Sequence, residues 1–134
     1  MRGEAIGDRA VRIMLDTHAL IWALEASPQL SKAARSLIED PNNDVLVSAA
    51  SAWEIAIKKA LGRLKVPSDL MEAVEEAGFL RRPLGFGEAR RLESLPRHHE
   101  DPFDRMILAH ALEEGATLVT RDRQMARYQV PIVW

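Results

Sequence analysis

Three short apolar runs limit what this chain can fold into: Arg12–Leu15 ("RIML"), Val45–Val47 ("VLV") and Thr117–Val119 ("TLV"). Each is preceded or followed by text with helical periodicity, and such alternation indicates an α/β sheet of buried parallel strands with helices on both faces. A weaker strand candidate closes the chain at "VPIVW" (130–134), and "FLRRPL" (79–84) is a further short one.

The helices between them carry start and stop signals. Thr17–Ala26 reads as an amphipathic helix ending before "SPQLS", and Ser31–Asp40 as a second with Ser31 at its N-cap. Ser48–Leu64 is the longest, with Trp53, Ile57, Ala60, Leu61 and Leu64 at helical spacing. Ser68–Ala77 is expected to be capped by Ser68, and Glu88–Leu95 to form a short helix. Asp101 opens "DPFDRMILAHALEEG", with Pro102 in the first turn and Gly115 at the end. Residues 12–134 are read as one domain and residues 1–11 as a flexible extension.

Bulk properties remove several classes of function. The chain has no cysteine, which excludes disulfides, thiolate metal sites and thiol nucleophiles. A net charge of -2 gives no global attraction to nucleic acid, so a polyanion would have to meet a local basic patch. No apolar run approaches the roughly 20 residues of a membrane helix, and the start lacks the apolar segment of a secretory signal; a cytoplasmic protein is the expectation.

In an open parallel sheet, ligands bind beyond the carboxyl ends of the strands. Asp16 follows the first strand and Asp122 the third, Glu54 lies early in the helix after Val45–Val47, and Asp101 and Asp104 begin the helix that returns to the third strand. A doubly wound layout brings Asp16, Glu54, Asp104 and Asp122 to one edge. Singly, each has a plainer role: Asp16 and Asp101 as N-caps, Asp104 as a first-turn charge, Asp122 in a turn, Glu54 in a surface pair with Lys58. Four acids need not all fall at one edge for those reasons. Of the histidines, His98 and His99 precede Glu100 and Asp101, but adjacent loop residues rarely face one ligand. They are not expected to bind a metal. His18 and His110 are read as helix residues satisfied locally.

The segments "LDTHALIWAL", "VSAASAWEIAIKKALGRL", "HHEDPFDRMILAHAL" and "LVTRDRQMARYQVPIVW" together resemble the PIN-domain ribonucleases, most closely the VapC-type toxins of bacterial toxin–antitoxin pairs. The resemblance runs from Arg12 to Trp134 and implies a three-layer α/β/α sandwich around a parallel sheet of about four or five strands. It also implies a divalent-metal nuclease site and a homodimer. The acids it implies are Asp16, Glu54, Asp104 and Asp122, with Thr120 supporting the metal's water shell and Asp101 as an outer acid. It further implies an antitoxin that lays a segment across an apolar groove and places a basic side chain among the acids.

Clustered carboxylates repel, by about 4 kcal/mol for a pair ~4 Å apart at an effective dielectric of 20. They must bind a cation, hold a proton or splay apart. Mg²⁺ and Mn²⁺ favour such hard oxygen ligands. The expected mechanism has Asp16, Glu54 and Asp104 holding a first ion, with Asp122 and Thr120 completing the shell or helping a second, for in-line hydrolysis of an RNA phosphodiester. Candidate phosphate contacts are Lys58, Lys59, Arg63, Lys65, Arg97, Arg105, Arg121 and Arg123, with internal salt bridges as a third option for Arg105 and Arg121. Ile21, Trp22, Leu24, Trp53, Ile57 and Leu61 are assigned to the core from spacing, Trp22 and Trp53 being the likeliest exceptions. Two rivals remain on sequence alone: a PIN nuclease of RNA processing without toxicity, and a non-catalytic α/β interaction module.

Overall fold

A computed structural model describes residues 10–66 and 69–134. Most of the expected 1–11 extension and the expected cap Ser68 lie outside the described residues. In chain order the elements are β1 (Arg12–Leu15), α1 (Thr17–Leu24), α2 (Lys32–Glu39), β2 (Asp44–Ser48), α3 (Ala49–Ala60) and α4 (Leu70–Glu76). There follow β3 (Leu80–Arg82), α5 (Phe86–Ser94), α6 (Pro102–Glu114), β4 (Thr117–Val119), a 3-10 turn (Arg123–Arg127) and β5 (Ile132–Val133). The five strands form one sheet in the order β3-β2-β1-β4-β5, and every neighbouring pair is parallel.

Strand periodicity divides the apolar residues between two cores. Ile13, Leu15, Val45, Val47 and Val119 face one side, where they pack with Leu20, Ala34, Ile55, Leu70 and Val74 of the first four helices. Met14, Leu46 and Leu118 face the other, against Ile107, Leu108 and Ala111 of α6 and against Met125 and Tyr128. The central strands are thus buried on both faces, which is why their sequences read as continuous apolar runs. The product is the expected α/β/α sandwich.

Helix ends follow local chemistry. Ser31 accepts the Ala34 amide at 3.1 Å and Ser48 the Ala50 amide at 3.0 Å, each satisfying an otherwise orphaned donor. Asp101 caps α6 through the Phe103 and Asp104 amides, and Gly115 ends it at φ 63°, where a Cβ would be strained.

Two assignments need correction. Ile57 and Leu61, placed in the core by spacing, are 48% and 59% exposed, and Trp53 is 49% exposed beside them. Helical spacing shows that they share a face but not what that face meets; the residues α3 buries are Ala50, Ser51, Glu54 and Ile55. His110 is only partly satisfied within its helix. Its Nδ1 lies 2.7 Å from Ser48 Oγ of another element, while its buried Nε2 has a long 3.5 Å contact to Glu114 Oε2, one turn on in α6.

Candidate metal centre

The four acids expected at the sheet edge line one pocket of about 250 Å³, joined by Asp101, Lys58 and Arg121. Asp16 continues β1: its backbone N–H donates to Val119 of β4 at 3.1 Å, which fixes it beyond the strand end. Its Oδ1 accepts the Ala19 amide at 2.8 Å and its Oδ2 the Thr120 hydroxyl at 2.5 Å. Asp16 is both an N-cap and a pocket acid, so the two readings of its role coexist. Thr120, the support residue expected for this site, is itself 1% exposed.

Glu54 reaches the pocket from the second turn of α3 and is buried. Its Oε1 accepts the Thr17 hydroxyl at 2.6 Å, and its Oε2 pairs with Lys58 Nζ at 2.6 Å. No sequence signal points to Thr17. The expected Glu54–Lys58 pair does form, but its carboxylate half is buried. That hydrogen bond is the main reason the Lys58 ammonium holds its proton above the usual lysine range.

The largest departure from expectation is His99. Its Nε2 lies 2.8 Å from Asp122 Oδ2 and 3.0 Å from Asp104 Oδ2, so one ring joins two of the four acids. The ligand atoms of His99, Asp104 and Asp122 all lie within 4.8 Å of one another. His98 does turn away, its ring edge-on to Tyr128. The two rings diverge, and the expectation set against a His/Asp cluster here fails for His99.

Burial of these charges leaves a signature. Asp104 is pushed up to about 7, first by burial and then by the neighbouring Asp101 carboxylate, against the opposing pull of His99. Burial likewise raises Asp16, although Thr120 and the Ala19 amide work against it. Carboxylates that resist ionising in a pocket lined with oxygen donors fit a hard divalent cation, which removes the repulsion. Of the residues lining the pocket, Asp16, Glu54, Asp104 and Asp122 could offer it carboxylate oxygens.

Of the basic candidates, Arg121 is exposed at the pocket rim, its guanidinium 4.6 Å from the centre of the Trp22 ring. Arg105 is withdrawn from solvent instead. It is 9% exposed and donates to the Pro96 carbonyl at 2.8 Å, with longer contacts to Leu92, Leu95 and Tyr128. It is therefore neither an available phosphate contact nor half of a salt bridge, because backbone carbonyls use its donors. A separate apolar groove, lined by Trp53, Leu84, Phe86, Leu92 and Met106, contains none of the four acids.

A parallel five-stranded sandwich with a ring of acids at its carboxyl edge defines a class, and the PIN domain family matches residues 13–131. The chain belongs to that family. It is 30% identical to Ribonuclease VapC22 of Mycobacterium tuberculosis over 122 residues, covering 89% of this chain and 93% of that protein. Among solved structures it is similar to VapBC2 from Rickettsia felis bound to a DNA fragment from their promoter, with a TM-score of 0.66 and 16% identity across 92% of this chain and 98% of the other. It is also similar to a toxin–antitoxin complex from Klebsiella pneumoniae, with a TM-score of 0.62 and 20% identity across 91% and 96%.

Proposed function

We propose that this chain is a divalent-cation-dependent endoribonuclease and the toxin of a toxin–antitoxin pair. The observation that carries the reading is the convergence of Asp16, Glu54, Asp104 and Asp122, from four separate elements, into one pocket. The 30% identity to a ribonuclease across nearly the whole chain supports the activity, and the likeness in fold to a toxin–antitoxin complex accords with the partner.

A bound Mg²⁺ or Mn²⁺ supplies an activated water and neutralises charge on the phosphate. The protein's own residues do the rest. Thr120 and the Ala19 amide orient Asp16, Thr17 orients Glu54, and His99 orients Asp104 and Asp122. Lys58 offsets the Glu54 charge from the side, and Arg121, over the Trp22 ring at the rim, is the candidate contact for an RNA phosphate entering the pocket. An antitoxin is expected to cover the exposed apolar surface of Trp53, Ile57, Leu61 and Phe86, and a homodimer to bring two basic rims together.

The test is cleavage of total RNA by purified, antitoxin-free protein with Mg²⁺ or Mn²⁺, against Asp16→Asn. Asn caps a helix as well as Asp does, so the variant folds while losing the charge. Cleavage by the parent and none by the variant is the expected result, with 5′-phosphate products. Equal cleavage by both, or products ending only in a 2′,3′-cyclic phosphate, refutes the mechanism.

A further inference from the structure

We propose that His99 is a positioning residue that donates its ring N–H to Asp122, with Asp104 held beside the same nitrogen, and so sets the spacing of the two acids without itself ligating the cation. The inference rests on the metal-centre reading above and deepens it.

The ring's other nitrogen decides the matter. His99 Nδ1 lies 3.1 Å from the Asp101 backbone nitrogen and accepts its N–H. In a neutral imidazole only one nitrogen carries hydrogen, so acceptance at Nδ1 places the proton on Nε2. That N–H is aimed at Asp122 Oδ2, 2.8 Å from Nε2, and Asp104 Oδ2 lies 3.0 Å from the same nitrogen. Ligation of a cation through Nε2 would need the opposite tautomer, which would set an Nδ1–H against the Asp101 N–H. The loop geometry forbids that exchange unless the Asp101 contact breaks. Imidazole nitrogen in a metal shell favours zinc, copper or nickel, whereas carboxylate oxygens favour magnesium and manganese. A histidine locked as a donor leaves an all-oxygen ligand set, so its presence in the cluster does not recruit a softer metal.

The loop has anchors besides the ring. The backbone N–H groups of His98 and His99 donate to Tyr128 Oη at 3.0 and 2.9 Å, and both bonds are kept in His99→Ala and His99→Gln. Loss of the ring removes the acceptor of the Asp101 N–H and loosens the acids, while these two anchors hold the loop on Tyr128.

The experiment measures Mn²⁺ binding by calorimetry for the parent, His99→Ala and His99→Gln, beside nitrogen-15 NMR of the His99 ring with and without Mg²⁺. Removing a partner that orients metal ligands weakens the metal on the order of tenfold, and His99→Ala is expected to do so. Glutamine keeps an N–H donor at similar reach and is expected to restore much of the loss. The ring proton should stay on Nε2 in both NMR samples, and bound Mn²⁺ should show no nitrogen coupling from imidazole. Parent uptake of Mn²⁺ with unchanged affinity in His99→Ala overturns this inference alone, as does transfer of the proton to Nδ1 or a coupling between Mn²⁺ and the ring. A parent that takes up no Mn²⁺ overturns the proposed function as well.

Discussion

Replacing Asp104 by asparagine should stabilise the cation-free protein, by an amount that grows as pH rises from 3.8 to about 7 and then levels off. The Asp104 and Asp122 oxygens beside His99 lie no more than 4.8 Å apart. Two unit charges at that distance repel by about 3 kcal/mol at an effective dielectric of 20. Solvent reaches both carboxylates, and Asp122 is 35% exposed at its side chain, so about half survives screening. The introduced amide keeps an oxygen beside His99 Nε2 but forfeits a first-turn charge that is worth some 0.5 kcal/mol to α6. The net gain is about 1 kcal/mol at pH 8, or roughly 4 °C in melting temperature for a domain of this size. The sign with pH follows from Asp104 lying at about 7 in the fold against 3.8 for an ordinary aspartate. Between those values the folded state holds a proton that the unfolded chain has released, so stability falls as pH rises through that window. Near pH 4 the Asp104 carboxyl is largely protonated in the folded chain and about half protonated in the unfolded one, so the substitution should gain little there and most of its gain should be present by neutral pH. Thermal unfolding in chelator at pH 4 and pH 8 measures both, and addition of Mn²⁺ at pH 8 should raise the parent's midpoint but not the variant's. An Asp104→Asn protein less stable than its parent at pH 8, or equally shifted at both pH values, would refute the picture of acids held together against their charge.

Three further outcomes follow. Because a cation must displace the Asp104 proton, apparent Mn²⁺ affinity in calorimetry should climb between pH 6 and pH 8 and then level off. Thr120→Val keeps the shape but strands the buried Asp16 Oδ2, and should cost about 1–3 kcal/mol in chemical denaturation; a neutral result would mean that the hydroxyl does not fix Asp16. Arg105→Met should destabilise by about 1–2 kcal/mol by taking a charged donor from the Pro96 carbonyl, which then keeps only the Tyr128 hydroxyl, while RNA binding by the folded fraction stays unchanged; Arg121→Ala should do the reverse, weakening RNA binding at little cost in stability.

The apolar runs of β1 and β4 coincide with the observed strands because both faces of those strands are covered, and such burial leaves an unambiguous mark. The placement of Asp16, Glu54, Asp104 and Asp122 was legible for a topological reason: in a parallel sheet every strand end and every returning helix start share one edge. His99 was not legible. Its role depends on a loop whose path is set by Tyr128, about thirty residues away, and no spacing rule reports that. Thr17 was hidden similarly, since its partner Glu54 belongs to another helix. Ile57 and Leu61 show the converse failure, in which a correct helical face was given the wrong neighbour. Arg105 lies one residue from an acid in sequence, but on a helix the adjacent side chain points elsewhere, here towards the Pro96 carbonyl.

Asp16, Asp101 and Asp122 each fasten the first turn of the segment that follows, accepting the amides of Ala19, of Phe103 and Asp104, and of Gln124. A descendant of this chain that abandoned catalysis would still be obliged to keep polar groups at these places, or its turns would fray. Asparagine is the exchange open to it at Asp16 and Asp122, since it preserves the fastening and discards the charge. Aspartate against asparagine at those two positions therefore separates a working nuclease from a folded relic.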